Sequence, residues 1–208
     1  MKKCKVYGVG INDANYTVIN RIRVDGKYKI TGQCPFHRTW LSMLARCYSK
    51  SNLVRYLTYK DCLVCEEWLT FSTFKKWMES QDYKGKQLDK DLLVQGNKLY
   101  SPETCVFVDA KINTFTVDSA KSRGRYMIGA CWYKDKNKFR ANCSNPFTGK
   151  SDHLGYFTDE LSAHLAWKKR KHELACQLAD SDLVQDERLA QALRTRYLPD
   201  NTQEVKAA

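Results

Sequence analysis

Two aspartates one residue apart, Asp89 and Asp91, stand in the run Gln87-Leu88-Asp89-Lys90-Asp91. Hard oxygen donors at that spacing suit a magnesium or manganese ion that keeps several of its waters. As bases they are weak, because an exposed aspartate titrates at about pH 4. A second pair, Cys62 and Cys65, has the Cys-x2-Cys spacing of a zinc knuckle, and Cys34, Cys47 and Cys105 could complete a tetrahedral thiolate site. Buried free thiols are the competing reading. A third set lies nearer the C-terminus, where Arg140, Asn142 and Ser144 alternate with Phe139, Ala141 and Cys143. In a strand the two sets face opposite ways. Arginine matches the acceptors of guanine, and asparagine the donor and acceptor of adenine, so the polar set carries the side chains of a base-reading surface.

A strand of that kind needs partners on both edges and a cover on its apolar side. Three apolar and aromatic runs between 126 and 157, separated by turn clusters at 134–137 and 145–150, predict a three-stranded antiparallel meander. A helix is predicted to follow, with Thr158 as N-cap, Asp159 and Glu160 in its first turn, and the basic run 168–171 toward its negative end. Leu161, Leu165, Ala166 and Leu174 recur at helical spacing and mark the face expected to cover the sheet. Arg140 and Asn142 are then left on the opposite, solvated side.

Tyr126, Gly129, Phe139-Arg140-Ala141, Leu154-Gly155-Tyr156-Phe157-Thr158, Ala163 and Ala166 together resemble the Apetala/ethylene-response-factor type of DNA-binding domain, known from plant transcription factors and from mobile and phage endonucleases. The resemblance implies a three-stranded sheet laid in the major groove and backed by one helix. It places Tyr133, Arg140, Asn142, Ser144 and His153 on the groove side, and Lys138 is a further DNA-binding candidate. His153 stands where that family has a tryptophan and the arginines are fewer, so no base preference carries over. The preceding Lys121-Ser122-Arg123-Gly124-Arg125 reads as a flexible basic linker whose Arg123 and Arg125 touch phosphate.

Upstream, 5–10 reads as a strand, and Asp25-Gly26 between 21–24 and 27–30 signals a hairpin. Trp40, Met43, Leu44 and Cys47 lie at i, i+3, i+4 and i+7 and predict a helix over 38–48. The stretch 49–58 reads as a polar loop. A second helix is expected over 67–80, with Trp68, Phe71, Phe74, Trp77 and Met78 on its core side. Then 87–93, 100–108 and 109–115 read as strand, strand and short helix, and 183–197 as a final helix. The expected class is α+β, divided into 1–33, 34–118, a linker 119–125, a sheet-and-helix domain 126–180, and a helix with tail at 181–208.

The 208 residues carry a formal charge of +12, which favours a polyanionic partner. No run approaches the ~18 apolar residues of a membrane span, and Met1-Lys2-Lys3-Cys4-Lys5 lacks an apolar signal core. Nine cysteines, an odd number without an export signal, favour thiols over disulfides. A soluble intracellular, cytoplasmic protein with no membrane partner is expected.

Trp40, Met43, Arg46, Cys47 and Tyr48, then Val64, Cys65 and Trp68, then Leu88-Asp89-Lys90-Asp91 and Tyr100-Ser101-Pro102-Glu103-Thr104-Cys105 resemble the HNH-type endonucleases of phages and bacteria. The resemblance implies a ββα unit in which a first-strand histidine activates water and a residue on the helix helps hold one divalent metal. Thr104 and Asn113 fall at the second and third positions of that motif, which makes Asn113 a metal-side candidate beside Asp89 and Asp91. No histidine lies near 88–91, so His37 is the base that the fold would have to bring in. The expected function is double-stranded DNA binding, with metal-dependent phosphodiester hydrolysis if the base is supplied. The rivals are a non-catalytic DNA-binding regulator or blocking factor, and an inhibitor that docks an acidic protein. Oligomeric state is open.

Overall fold

The structure is a computed structural model and describes residues 5–118 and 124–198. It is a mixed α+β protein whose chain divides into two units, Met1–Phe107 and Val108–Ala208. The division falls ahead of the helix that sequence patterning grouped with the N-terminal half.

The first unit opens with a tight turn instead of a strand at 5–10, because Tyr7 and Gly8 both take positive φ and Val6 pairs with Gly10. A hairpin follows, β1 (Ile19–Val24) and β2 (Lys27–Gln33), joined at Asp25-Gly26. Helix α1 (Pro35–Tyr48) starts on a proline, whose fixed φ suits a first helical position, and buries Trp40, Met43, Leu44 and Cys47 as the spacing predicts. The expected polar loop contains a short helix, α2 (Lys50–Arg55), which buries no side chain.

The second expected helix is interrupted. A 3-10 turn at Glu66–Leu69 precedes α3 (Phe71–Glu79), and the chain between them is drawn out at Thr70. Ile11 causes the break: its N–H donates to the Leu69 carbonyl and its carbonyl accepts from Phe71 N–H, which removes that backbone from the helical ladder. Short strands complete the unit. β3 (Leu63–Val64) runs parallel to β5 (Leu99–Tyr100), and β4 (Gln87–Asp89) pairs with β6 (Val106–Val108). The core is aromatic: Trp40, Trp68, Phe71, Phe74 and Tyr100 are all essentially inaccessible to solvent. The Trp40 indole N–H donates to the Trp68 carbonyl at 2.7 Å, so even the polar edge of that ring is satisfied.

The second unit begins with α4 (Ala110–Thr116), capped by Asp109, whose carboxylate accepts from Lys111 N–H. The predicted meander is present as β7 (Ala130–Tyr133), β8 (Lys138–Ser144) and β9 (Ser151–Phe157), antiparallel in that order. Helix α5 (Glu160–Ala179) covers one face. Its N-cap is Asp159, one residue later than expected, accepting from both the N–H and the hydroxyl of Ser162. The covering stripe also differs from the expected one. Ala163, Trp167, Leu174 and Leu178 are buried, whereas Leu161 and Leu165 are exposed. Lys171 shares the buried stripe; its ammonium donates to the Phe115 carbonyl at 2.6 Å and lies over the Phe115 ring. Burial brings its pKa down to about 8. Helix α6 (Glu187–Arg196), capped by Asp186, packs on α5 through Leu189 and Leu193. No helix among the described residues is long and apolar enough to cross a membrane.

Candidate nucleic-acid interface

The sheet of the second unit has one covered and one open face. Ala141 and Cys143 point at α5 and are almost wholly buried. Arg140 and Asn142, between them in sequence, point the other way. Strand register sets their company: Cys131, Arg140 and Tyr156 lie abreast, as do Tyr133 and Lys138, Asn142 and His153, and Ser144 and Ser151. The sequence-predicted groove residues of β7, β8 and β9 are therefore brought onto one surface.

Tyr156 was not among those residues, and the cause of the omission is visible. A bulge between Ala141 and Asn142 gives β9 an extra residue, Leu154, so the alternation slips by one. His153 and Tyr156, three residues apart, then share the open face with ring centroids 5.0 Å apart. Strict two-residue counting puts Tyr156 on the helix side. Lys136 was missed for a similar reason. It sits in the turn after β7, yet its ammonium lies 3.9 Å from the Tyr156 ring centroid.

The open face is a linked set of groups. The Arg140 guanidinium stacks 5.4 Å from the Tyr133 ring centroid, and the Tyr133 ring lies 5.4 Å from that of Tyr156. With the Asn142 amide turned so that each end meets a complementary group, its oxygen accepts from Arg140 Nε at 3.1 Å and its nitrogen donates to His153 Nδ1 at 3.2 Å. That assignment makes Nδ1 the acceptor of the imidazole. The Asp135 carboxylate beside the Tyr133 hydroxyl raises its pKa, first as a hydrogen-bond acceptor for the neutral phenol and then by its charge. Arg140 and Asn142 are half-buried, but by one another and by rings of the same face, and Lys138, Ser144 and His153 are exposed. Such mutual contacts hold the side chains in order before a partner arrives, which lowers the entropy cost of binding. Arg125 is engaged elsewhere: its guanidinium stacks on Tyr126 and donates to the Tyr126 hydroxyl. Arg123 lies outside the described residues.

The nuclease candidates are placed differently. Asp89 is turned into its own loop, where Oδ1 accepts from Asp91 N–H at 2.9 Å and Leu92 N–H at 2.7 Å. Its pKa is raised, first by burial and then by the neighbouring Asp91 charge. Asp91 pairs with the buried ammonium of Lys90 at 3.1 Å, and Lys90 also donates to the Asn97 carbonyl. Both carboxylates thus fasten a loop, Asp89 through two backbone N–H groups and Asp91 through the Lys90 ammonium. Asn97 completes it, with its amide nitrogen donating to the carbonyls of Lys90 and Leu99. Thr104, at the position of the family's asparagine, donates to the same Leu99 carbonyl. Asn113 lies half-buried on α4 in the second unit, so the sequence motif is divided between the two units.

His37 is a core residue. It is 4% exposed, its ring packs against Trp40 and Phe71, and neither ring nitrogen has a hydrogen-bond partner. Burial lowers its pKa, and a ring enclosed in the aromatic core is not open to the water that the expected base would have to activate. The folded state then binds fewer protons than the unfolded chain once pH falls below about 6.5, so acid should destabilise the first unit. Urea unfolding at pH 7.5, 6.5 and 5.5 should show stability falling below pH 6.5 by up to about 1.4 kcal/mol per pH unit, with this fall reduced in His37→Phe. Equal slopes for the two proteins would contradict it.

Cys62 and Cys65, whose spacing allows a zinc knuckle, take part in no disulfide. Cys62 is buried with its thiol toward the Thr58 carbonyl, and burial pushes the Cys65 thiol up to about 11 and the Cys47 and Cys105 thiols up to about 12. Apolar surroundings disfavour the thiolates that a metal would need. Among the described residues, no group of three or more His, Cys, Asp and Glu side chains is placed to hold a metal ion. Compared with protein-family models, curated proteins and solved structures, the chain matches none.

Proposed function

We propose that this protein binds double-stranded DNA through the open face of β7, β8 and β9, and that it reads base edges there with Arg140 and Asn142. The observation that carries the reading is the linked set of Tyr133, Arg140, Asn142, His153 and Tyr156 on the sheet face turned away from α5. Lys136, whose ammonium lies over Tyr156, and Lys138, abreast of Tyr133, add positive charge to one end of this face, which matches a polyanion. The Apetala/ethylene-response-factor-like residues support the same use of the sheet. The first unit serves in this reading as an HNH-like scaffold with no hydrolytic role, since Asp89 and Asp91 are spent on their loop and His37 on the core.

Binding measured by fluorescence anisotropy against a selected duplex tests the proposal. Arg140→Ala and Asn142→Ala should each weaken binding by about 5- to 150-fold, the ~1 to 3 kcal/mol of a bidentate base contact, and should relax discrimination at one base position. Unchanged affinity and unchanged discrimination in both variants would remove the sheet as the reading surface. Plasmid nicking by the wild type in magnesium or manganese, lost in Asp89→Ala/Asp91→Ala, would restore a hydrolytic role.

A further inference from the structure

The β1–β2 hairpin is exposed on both faces. Along it, Ile22 is 50% exposed, Tyr28 73% and Ile30 59%, and neither strand packs substantially on any other element. A two-stranded ribbon alone in water is marginally stable, and large apolar side chains left open on it mark a surface used for contact. The tip is a tight turn with Asp25 at φ 50° and Gly26 at φ 75°, so the two strands are well matched in direction and twist. Between Ile19 and Gln33 stand Arg21, Arg23, Lys27 and Lys29 against one acid, Asp25.

Register sorts these charges. Arg23 lies opposite Tyr28 and Arg21 opposite Ile30, on one face; Ile22 lies opposite Lys29 and Val24 opposite Lys27, on the other. One face thus carries two guanidinium forks with an aromatic ring, and the other carries two ammonium groups on long stems. A second copy of the chain would bring like charges together along the whole ribbon. A polyanion is complementary on both faces, and the major groove of B-form DNA has the width to admit a two-stranded β-ribbon.

We infer that β1–β2 is a DNA-contacting arm that lies in the major groove, with Arg21 and Arg23 toward the base edges and Lys27 and Lys29 reaching the phosphates at the groove mouth. The inference rests on duplex DNA being the ligand of this chain, but it concerns a surface of the first unit, separate from the sheet of the second. The arm side chains are solvent-exposed, so their replacement leaves the core alone.

The test compares the full chain with Arg21→Ala/Arg23→Ala/Lys27→Ala/Lys29→Ala and, separately, with Arg140→Ala/Asn142→Ala, on one duplex across a salt series. Thermal melting verifies that each variant is folded. The arm variant should bind at least about tenfold more weakly at ~0.1 M salt, with the slope of log affinity on log salt smaller by about 2, as expected when the phosphate contacts of Lys27 and Lys29 are lost. In the wild type, saturating duplex should slow acetylation of Lys27 and Lys29 several-fold. Wild-type affinity and slope in the arm variant, with no lysine protection, overturn the arm, and they do so with the sheet reading intact if Arg140→Ala/Asn142→Ala is impaired. Loss confined to the arm variant supports the arm and removes the sheet reading. A wild type that binds no duplex overturns both, and an arm variant altered only in oligomeric mass makes the ribbon a contact between copies, which also overturns the proposal.

Discussion

Gly129→Ala is expected to destabilise the second unit by about 3 to 4 kcal/mol, the summed scale of an unfavourable backbone region and an overpacked contact. Gly129 has φ of 85°, and a methyl group added there would overlap the Cβ and indole of Trp167. Neither can move easily, since Trp167 is 8% exposed within the stripe by which α5 covers the sheet. Gly149 supplies the control, because it has φ of 68° with nothing near the added methyl. Gly149→Ala should therefore cost only the backbone part, about 1 kcal/mol. Thermal unfolding of the two variants separates strain from overlap. A Gly129→Ala protein as stable as Gly149→Ala would mean that the contact with Trp167 is looser than described. DNA affinity should fall with Gly129→Ala as well, since the Gly129 carbonyl accepts from Asn142 N–H at 3.2 Å and so helps place that side chain.

Trp40→Ala should cost the first unit about 4 to 5 kcal/mol, which is a large part of the stability of a typical domain. Trp40 is fully buried and lies against Phe71 and His37, while Gly10 approaches so closely that a methyl there would meet its ring. Removing the indole leaves a cavity that a glycine and two rings cannot refill, and it leaves the Trp68 carbonyl without its donor. Trp40→Phe separates the two losses. It keeps most of the ring contact but not the N–H, and it should cost about 1 to 3 kcal/mol. Urea titration at neutral pH gives both numbers. Equal costs for alanine and phenylalanine would assign the whole effect to the hydrogen bond.

Short-range patterns carried much of the architecture. Asp25-Gly26 makes its turn, Trp40, Met43, Leu44 and Cys47 face the core, and Arg140 and Asn142 point away from Ala141 and Cys143. Each follows from a dihedral preference or a repeat within a few residues. The buried face of α5 does not follow in this way. Leu161 and Leu165 are the more apolar choice, but the sheet offers Gly129 and Ala141, a shallow track that a tryptophan fills and two leucines would not. Lys171 enters the stripe because its stem is apolar and the Phe115 carbonyl receives its ammonium, and neither fact is readable from its own neighbours in sequence.

The same division holds at the site. Alternation was enough to put Arg140, Asn142 and Ser144 on one side of their strand, and only the family resemblance added Tyr133 and His153. The bulge opposite Leu154, which brings Tyr156 to His153, depends on strand pairing. So does the use of Asp89, whose carboxylate has the chemistry of a metal ligand but is closest to the N–H groups of its own loop. Composition and local spacing determine what a side chain can do; tertiary structure determines which donors and rings come within about 3 to 6 Å of it, and interactions of that range select one use among those the chemistry allows.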